Sequence, residues 1–174
     1  MKTLSYKLIA LLAMVNCFTS CKQANNNDYL ILVTDSVNER YGYKNLNGDT
    51  IIALGKYAMC YTDTLKNYAI VLKPESGFVA IDKNDKVLYT VFPFDNGPDY
   101  SSEGIFRIIE NGKIGYADIL TGKIIIKPQF KCAHPFENGK AKVSNDCEIK
   151  AEGEHSSWES NQWFYIDKDG KKVD

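Results

Sequence analysis

Three aspartates recur beside turn-forming dipeptides and are the first candidates for catalytic or metal-binding groups: Asp82, Asp118 and Asp167. Carboxylates of this kind can transfer protons or bind calcium. A catalytic group is needed only once, however, whereas these three stand at equivalent positions of a repeated pattern. We therefore predict a structural role, in which each carboxylate accepts hydrogen bonds from main-chain N–H groups of its own turn.

A second candidate is a cysteine–histidine pair, because Cys132 and His134 lie two residues apart and can point the same way from a strand. No acid or oxyanion-binding motif supports them, so we interpret His134 as a loop residue. Cys132 and Cys147 either form a disulfide, worth about 3 kcal/mol for a loop of this length, or are buried thiols like Cys60. With two histidines and no Cys-x-x-Cys pair, neither a zinc site nor a cofactor is predicted.

Tyrosines also recur, at Tyr43, Tyr116 and Tyr165, each within a β-rich run. They could form a stripe on which a ligand stacks. Aromatic residues that alternate along strands more often belong to the core or to cross-strand pairs. We predict the second role for all three.

The charge balance argues against nucleic-acid binding. The chain has 21 basic and 22 acidic residues; without residues 1–20, which contain Lys2 and Lys7, 19 basic and 22 acidic residues remain, a net charge of −3. Nucleic-acid-binding domains normally carry a basic surface. Gly-rich phosphate loops, GxSxG and HExxH are all absent from the sequence. We therefore expect a non-enzymatic protein.

The N-terminus has the anatomy of a secretory signal: lysines, a short apolar run over residues 8–15, and small residues before Cys21. The run is shorter than the about 20 residues that span a membrane. Its ending, Phe18-Thr19-Ser20-Cys21, resembles a lipobox, although Phe18 replaces the usual leucine. The resemblance implies that a diacylglycerol group is attached to Cys21 and that cleavage occurs just before it.

Three segments follow from this interpretation. Residues 1–20 are the signal peptide, residues 21–28 are the lipidated cysteine and a polar tether, and residues 29–174 are the folded domain. We expect the protein to be attached by lipid to the cell envelope, at the outer membrane facing the periplasm, with exposure at the cell surface as the alternative.

Turn signals divide the domain at a regular interval. Asn47-Gly48, Asn84-Asp85 and Thr121-Gly122 follow one another at 37 residues, and Asp169-Gly170 comes 48 residues later. Each lies between β-rich runs, which predicts four hairpins. Two-residue hairpin turns of the Asn-Gly type need positive φ at both central residues, and we expect that geometry here.

A third strand is predicted between hairpins, at 67–73, 104–110 and 140–143, and Tyr29–Val33 resembles it. The fold class is therefore all-β, a repeat array of about four antiparallel three-stranded units with a period of about 37 residues. Two arrangements stay open. In an open twisted array the terminal strands are edges, whereas pairing of Tyr29–Val33 with Lys171–Val173 would close a small propeller-like ring.

The third unit resembles a WG repeat, whose pattern is Trp-Gly-Tyr-Ile-Asp, a Gly-Lys turn, an apolar strand, Pro-x-Phe/Tyr and Phe-x-x-Gly-x-Ala-x-Val. The matching residues are Gly115, Tyr116, Asp118, Gly122, Lys123, Pro128, Phe130, Phe136, Gly139, Ala141 and Val143. The Trp position itself holds Tyr41, Phe78, Ile114 and Trp163. The resemblance implies an interaction module more than any activity.

About eleven extra residues lie within 144–162, a polar stretch that we predict to be a surface loop. Its candidate partner-binding residues are Trp158, Glu159 and His155. The predicted function is non-enzymatic binding or scaffolding at the envelope, with another envelope protein or a glycan as partner. The alternatives are an inhibitor or immunity-type protein that acts through residues 144–162, and an enzyme that acts on envelope glycans.

Overall fold

The computed structural model of the protein describes residues 28–152 and 155–174, so that the signal segment and Cys21 lie outside the described residues. Within the described ranges the chain is all-β and its strands pair antiparallel, as predicted, and no helix has the length and hydrophobicity needed to cross a membrane. The strands are β1 (Leu30–Asp35), β2 (Arg40–Lys44), β3 (Thr50–Tyr57), β4 (Met59–Cys60), β5 (Thr64–Leu65), β6 (Ala69–Lys73), β7 (Gly77–Ile81), β8 (Val87–Val91), β9 (Pro93–Phe94), β10 (Gly97–Pro98), β11 (Ile105–Glu110), β12 (Lys113–Asp118), β13 (Ile124–Phe130), β14 (Cys132–Ala133), β15 (Lys140–Ser144), β16 (Glu148–Glu152), β17 (His155–Glu159), β18 (Phe164–Asp167) and β19 (Lys172–Val173).

All four predicted hairpins are present, as β2–β3, β7–β8, β12–β13 and β18–β19. Each third strand pairs with the first strand of the hairpin that follows it, which gives four three-stranded groups: β1-β2-β3, β6-β7-β8, β11-β12-β13 and β15-β18-β19. We number these groups one to four. Pairing of β8 with β11 joins groups two and three into a seven-stranded sheet.

The hairpin turns differ from the predicted geometry. Only the second residue of each dipeptide has positive φ: 92° at Gly48, 65° at Asp85, 68° at Gly122 and 78° at Gly170. Gly48 N donates to Asn45 O, and Gly170 N donates to Asp167 O, a pattern typical of three-residue hairpin loops that end in one left-handed residue. The prediction of positive φ at both residues is therefore wrong, because the Asn or Asp side chain that precedes each dipeptide stabilises an ordinary turn instead.

The first strand does not pair with the last. β1 pairs with β2 on one side and with β5 on the other, through Leu30 opposite Leu65, and β19 pairs with β18. The propeller-like closure through Tyr29–Val33 and Lys171–Val173 is therefore wrong for the described chain, because β5 occupies the edge that the ring would need.

The extra residues of 144–162 form a hairpin rather than an irregular loop. β16 and β17 pair over five positions, including Ile149 opposite Trp158. Cys132 and Cys147 form a disulfide, with their Cα atoms 6.2 Å apart, which ties the base of this hairpin to β14. The polar composition of the segment concealed the strands, because an exposed two-stranded hairpin needs few apolar residues.

Three hydrophobic clusters fill the interior, and each contains residues from two consecutive groups. Tyr43 and Ile52 of group one pack with Val71 and Val79 of group two. The second cluster joins groups two and three, and the third joins groups three and four. Groups therefore bury their faces against their neighbours in chain order, as stacked repeat units do.

Gly115 of β12, at the glycine position of the WG pattern, lies too close to the neighbouring strand for a side chain. A Cβ atom there would lie 2.5 Å from both Ile126 O and Pro128 N, which belong to the backbone of the neighbouring strand. Gly42 meets the same obstacle in group one, 2.6 Å from Ile52 O. A methyl group at either position must displace main chain, since no flexible side chain is in the way.

We expect Gly115→Ala to reduce the free energy of unfolding by about 1–3 kcal/mol, the usual range for overpacking. Gly97→Ala is the matched control, because its nearest obstacle, Phe94 O, lies at 3.6 Å. Urea unfolding of both variants measures the difference. Equal unfolding midpoints for Gly115→Ala and Gly97→Ala would contradict the close approach of β12 and β13.

Candidate binding groove

The tyrosine position of the WG pattern is occupied once in each group, by Tyr43, Ala80, Tyr116 and Tyr165. We call this the repeated position, and the face of each group on which it lies the forward face. In groups one to three the forward face packs against the next group. The residues directly opposite the repeated position on the third strand are Leu32, Ile70, Arg107 and Lys142. The third strand of group four thus presents lysines, Lys140 and Lys142, where the first two groups present apolar side chains.

The recurring tyrosines have two different environments. Tyr43 and Tyr116 are fully buried, and their hydroxyl groups donate to Thr62 O and His134 O, both at 2.7 Å. Burial raises the pKa of both phenols far above the ordinary value of 10.0. The core prediction is confirmed for these two. Tyr165 is 38% exposed and has the other predicted role, a cross-strand pair, because it lies opposite Lys142. Its ring is therefore available to a ligand.

A groove of about 680 Å³ lies along the forward face of group four. Lys140 and Lys142 of β15 and Tyr165 of β18 form its floor, and the segment around His134 together with Tyr100 forms its walls. The remaining lining residues are Ser102, Pro135, Phe136, Glu137 and Asn138. We call this site the end groove.

The lysines of the end groove lie over aromatic rings. Lys140 Nζ is 4.6 Å from the centre of the Tyr165 ring, and Lys142 Nζ is 4.9 Å from the centre of the Trp163 ring. Cation–π contacts of this kind stabilise an exposed ammonium by about 0.5–1 kcal/mol. Lys140 Nζ also donates to Asp174 O at 3.1 Å. Among the described residues, no side-chain carboxylate forms an ion pair with either lysine.

His134 joins the end groove to the inserted hairpin. Its ring centre lies 5.4 Å from that of Trp158 and 5.2 Å from that of Trp163, so the two tryptophans of the chain both flank it. Cys132 is bonded to Cys147 and is therefore not available as a nucleophile. The interpretation of His134 as a loop residue agrees with its position directly after β14.

The aspartates take the structural role that the sequence predicts. Asp82 Oδ1 accepts from the N–H groups of Asn84 and Lys86, both at 2.9 Å, and Asp167 Oδ1 accepts in the same way from its own turn. Hydrogen bonds from the Thr121 side chain and main chain lower the pKa of Asp118. In the ranges that the structure describes, no group of three His, Cys, Asp or Glu side chains could bind a metal ion.

The three predicted partner-binding residues, Trp158, Glu159 and His155, all lie on β17 of the inserted hairpin. Trp158 is partly buried, with its ring 5.8 Å from that of Phe92 and its side chain against the third cluster. Glu159 is exposed and forms an ion pair with Lys150. The backbone of His155 pairs with Glu152 in β17, and its side chain lies outside the described part. Trp158 therefore positions the hairpin beside the end groove.

Sequence reasoning missed the ion pair that supports the wall of the groove. Arg107 and Asp99 are 4% and 5% exposed. Asp99 Oδ2 accepts from Arg107 Nε at 3.0 Å and from its main-chain N–H at 2.8 Å, and the guanidinium lies 4.2 Å from the centre of the Phe92 ring. The signal was present, since Arg107 interrupts the apolar run Ile105–Ile109, and an arginine buried in a strand needs a partner.

His134 should titrate below the ordinary histidine pKa of 6.5. Partial burial lowers the pKa of His134 first, and the positive charges of Lys142 and Arg107 lower it further. Below pH 6.5 the unfolded chain then binds a proton that the folded chain does not, so this residue reduces stability as the pH falls. NMR titration of a His155→Gln variant reports His134 alone. We expect Lys142→Gln to raise its pKa, and no change would contradict the contact.

Comparison with known proteins bears on the third group and the strands that follow it. Residues 114–146 match the family described as WG containing repeat. The match runs from β12 through β15 and includes the connecting segment that forms one wall of the end groove. No curated protein matches the chain in a sequence search. The family match supports the WG-repeat interpretation of this part of the chain.

Proposed function

We propose that the protein is a non-enzymatic binding module of the cell envelope, an open stack of four WG-like units whose end groove binds a partner. The observation that carries the proposal is the forward face of group four. This face corresponds to the surface that forms a core in the other groups, yet Tyr165 remains exposed beside two lysines that pair with no side-chain carboxylate of the described chain. Exposed aromatic and cationic side chains are typical of interaction surfaces.

The alternative of an enzyme loses its best candidates. The three recurring aspartates hold their own turns, and Cys132 belongs to a disulfide. Catalysis at the end groove would therefore depend on His134, whose ring contacts tryptophans and whose nearest charged neighbours are cations. Such surroundings favour a binding role for this groove.

The membrane anchor rests on the sequence around Cys21. We expect metabolic labelling with a fatty-acid analogue to label the wild-type chain, and we expect Cys21→Ala to abolish both the label and sedimentation with membranes. Cys17→Ala is the matched control, because it removes the other cysteine of the signal region. Persistent label and sedimentation in Cys21→Ala would contradict lipidation. We propose that the anchored domain lies at the outer membrane facing the periplasm, with exposure at the cell surface as the alternative.

Affinity capture from envelope extracts tests the binding role. The full chain in detergent is compared with Tyr165→Ala, which alters the end groove, and with Leu46→Ala, which removes an exposed side chain from the first turn. We expect the same ligands on the wild-type and Leu46→Ala proteins and their loss from Tyr165→Ala. Identical sets on all three proteins would contradict the groove as the binding surface.

The inhibitor or immunity-type alternative has one observation in its favour. Ile149 of the inserted hairpin is 71% exposed, beside the charged pair of Lys150 and Glu159. An Ile149→Ser variant in the same capture experiment separates the two functions. Loss of ligands from Ile149→Ser, with none from Tyr165→Ala, would favour the hairpin as the binding surface.

A further inference from the structure

The end groove has a regular arrangement of charge and aromatic surface. Lys140 and Lys142 alternate along β15 with Ala141 and Val143, which are fully buried. The two lysine side chains therefore project from one face of the strand. The Cα atoms of Lys140 and Lys142 are roughly 7 Å apart, because each residue of a strand advances about 3.2–3.4 Å. On the neighbouring strand, β18, Tyr165 lies directly opposite Lys142.

The charge of the groove is positive. Its lining contains two lysines and one carboxylate, Glu137, and His134 is held towards its neutral form by burial and by Lys142. Six lysines elsewhere in the described chain pair with a side-chain carboxylate, among them Lys83 with Asp28 and Lys168 with Glu103, whereas Lys140 and Lys142 do not. An anion that enters the groove therefore displaces no side-chain carboxylate from either lysine, and it competes only with Asp174 O for Lys140.

We propose that the end groove binds an extended acidic peptide segment whose carboxylates alternate along the chain; this inference rests on the binding role proposed above. An extended peptide places every second side chain on one side at the same spacing of roughly 7 Å. Its carboxylates at positions i and i+2 therefore match Lys140 and Lys142, while apolar portions of the peptide contact the Tyr165 and Tyr100 rings. β15 is already paired with β14 and β18, so the peptide lies across the sheet face and does not add a strand.

Intrinsic fluorescence provides the readout, because both tryptophans of the chain, Trp158 and Trp163, flank His134 at this groove. The probe is an eight-residue peptide of alternating Glu and Thr, titrated into the full chain in non-ionic detergent. The comparison probes are a peptide of the same composition with its four Glu residues in one block, an alternating Lys–Thr peptide, and an oligomer of galacturonic acid.

We expect the alternating acidic peptide to quench the tryptophan fluorescence in a saturable way. The block peptide should bind at least threefold more weakly, and the basic peptide should give no response. Lys142→Glu should weaken binding at least tenfold, whereas Lys113→Glu, the same charge change at the first residue of β12, should leave it unchanged. Higher salt should weaken binding, because the contacts are between exposed charges.

Three results would overturn the inference: no saturable response to the acidic peptide, an unchanged affinity in Lys142→Glu, or tighter binding of the galacturonic acid oligomer. The first is also expected if the lysines merely form a solvated polar cap on the last group. If the peptide fails while Tyr165→Ala still loses its envelope ligands in the capture experiment, the ligand class is wrong and the binding role stands. If both experiments fail, the binding role is wrong as well.

Discussion

Replacing Arg107 with methionine is expected to reduce the free energy of unfolding by about 3–5 kcal/mol, because it leaves the Asp99 carboxylate buried without its guanidinium partner. Both side chains are almost fully buried, and the guanidinium also donates to Ala133 O at 3.3 Å. The loss should appear in urea unfolding of Arg107→Met followed by circular dichroism.

The second arginine of the chain supplies the control. Arg40 pairs with Asp35 at 2.6 Å, but its side chain is half exposed and water can solvate both charges once the pair is broken. Arg40→Met should therefore unfold close to the wild-type midpoint. If Arg107→Met and Arg40→Met unfold at similar urea concentrations, the Asp99–Arg107 pair is not buried as described.

Loss of the Cys132–Cys147 disulfide is expected to cost about 3 kcal/mol, the value for a closed loop of about 15 residues. The bond connects β14 to the start of the inserted hairpin, 15 positions along the chain. We expect the double variant Cys132→Ala/Cys147→Ala to unfold at lower urea concentration than the oxidised wild type, and hydrogen exchange to increase most within β16 and β17.

Reductant provides the matched comparison for this bond. It should lower the unfolding midpoint of the wild type and leave that of the double variant unchanged. Cys60→Ala should keep the sensitivity to reductant, because Cys60 is a buried free thiol. A wild-type midpoint that is the same with and without reductant would contradict a stabilising disulfide.

The periodic part of the fold was predictable from the sequence because its signals are local. Turn dipeptides and flanking β-rich runs predicted the four hairpins, and the third strands lie within one or two residues of β6, β11 and β15. The aspartates were assigned correctly for the same reason, since a carboxylate that caps its own turn needs only residues two to four positions away.

Features that depend on distant pairing were less predictable. Whether β1 pairs with β5 or with β19 is decided between segments far apart in the chain, and turn signals carry no information about it. Asp99 and Arg107 lie on different segments, so that only the arginine within an apolar run hinted at their pair.

The site was the hardest part to predict, because it depends on which face of a group stays uncovered. Tyr165 occupies the same repeat position as Tyr43 and Tyr116, and only the packing of successive groups distinguishes an exposed ring from two buried ones. Trp158 was selected as a partner-binding residue for its place in the insertion, yet its ring contacts Phe92 and His134.

Photo-crosslinking in living cells tests the central claim, that the end groove binds a partner at the envelope, most directly. A photoreactive amino acid replaces Tyr165 in the groove or, as a control, Val37, which is 88% exposed in the turn between β1 and β2. We predict a discrete adduct at position 165, its loss when Lys142→Glu is added, and none at position 37. An absence of adducts at position 165, or equal adducts at both positions, would contradict the account.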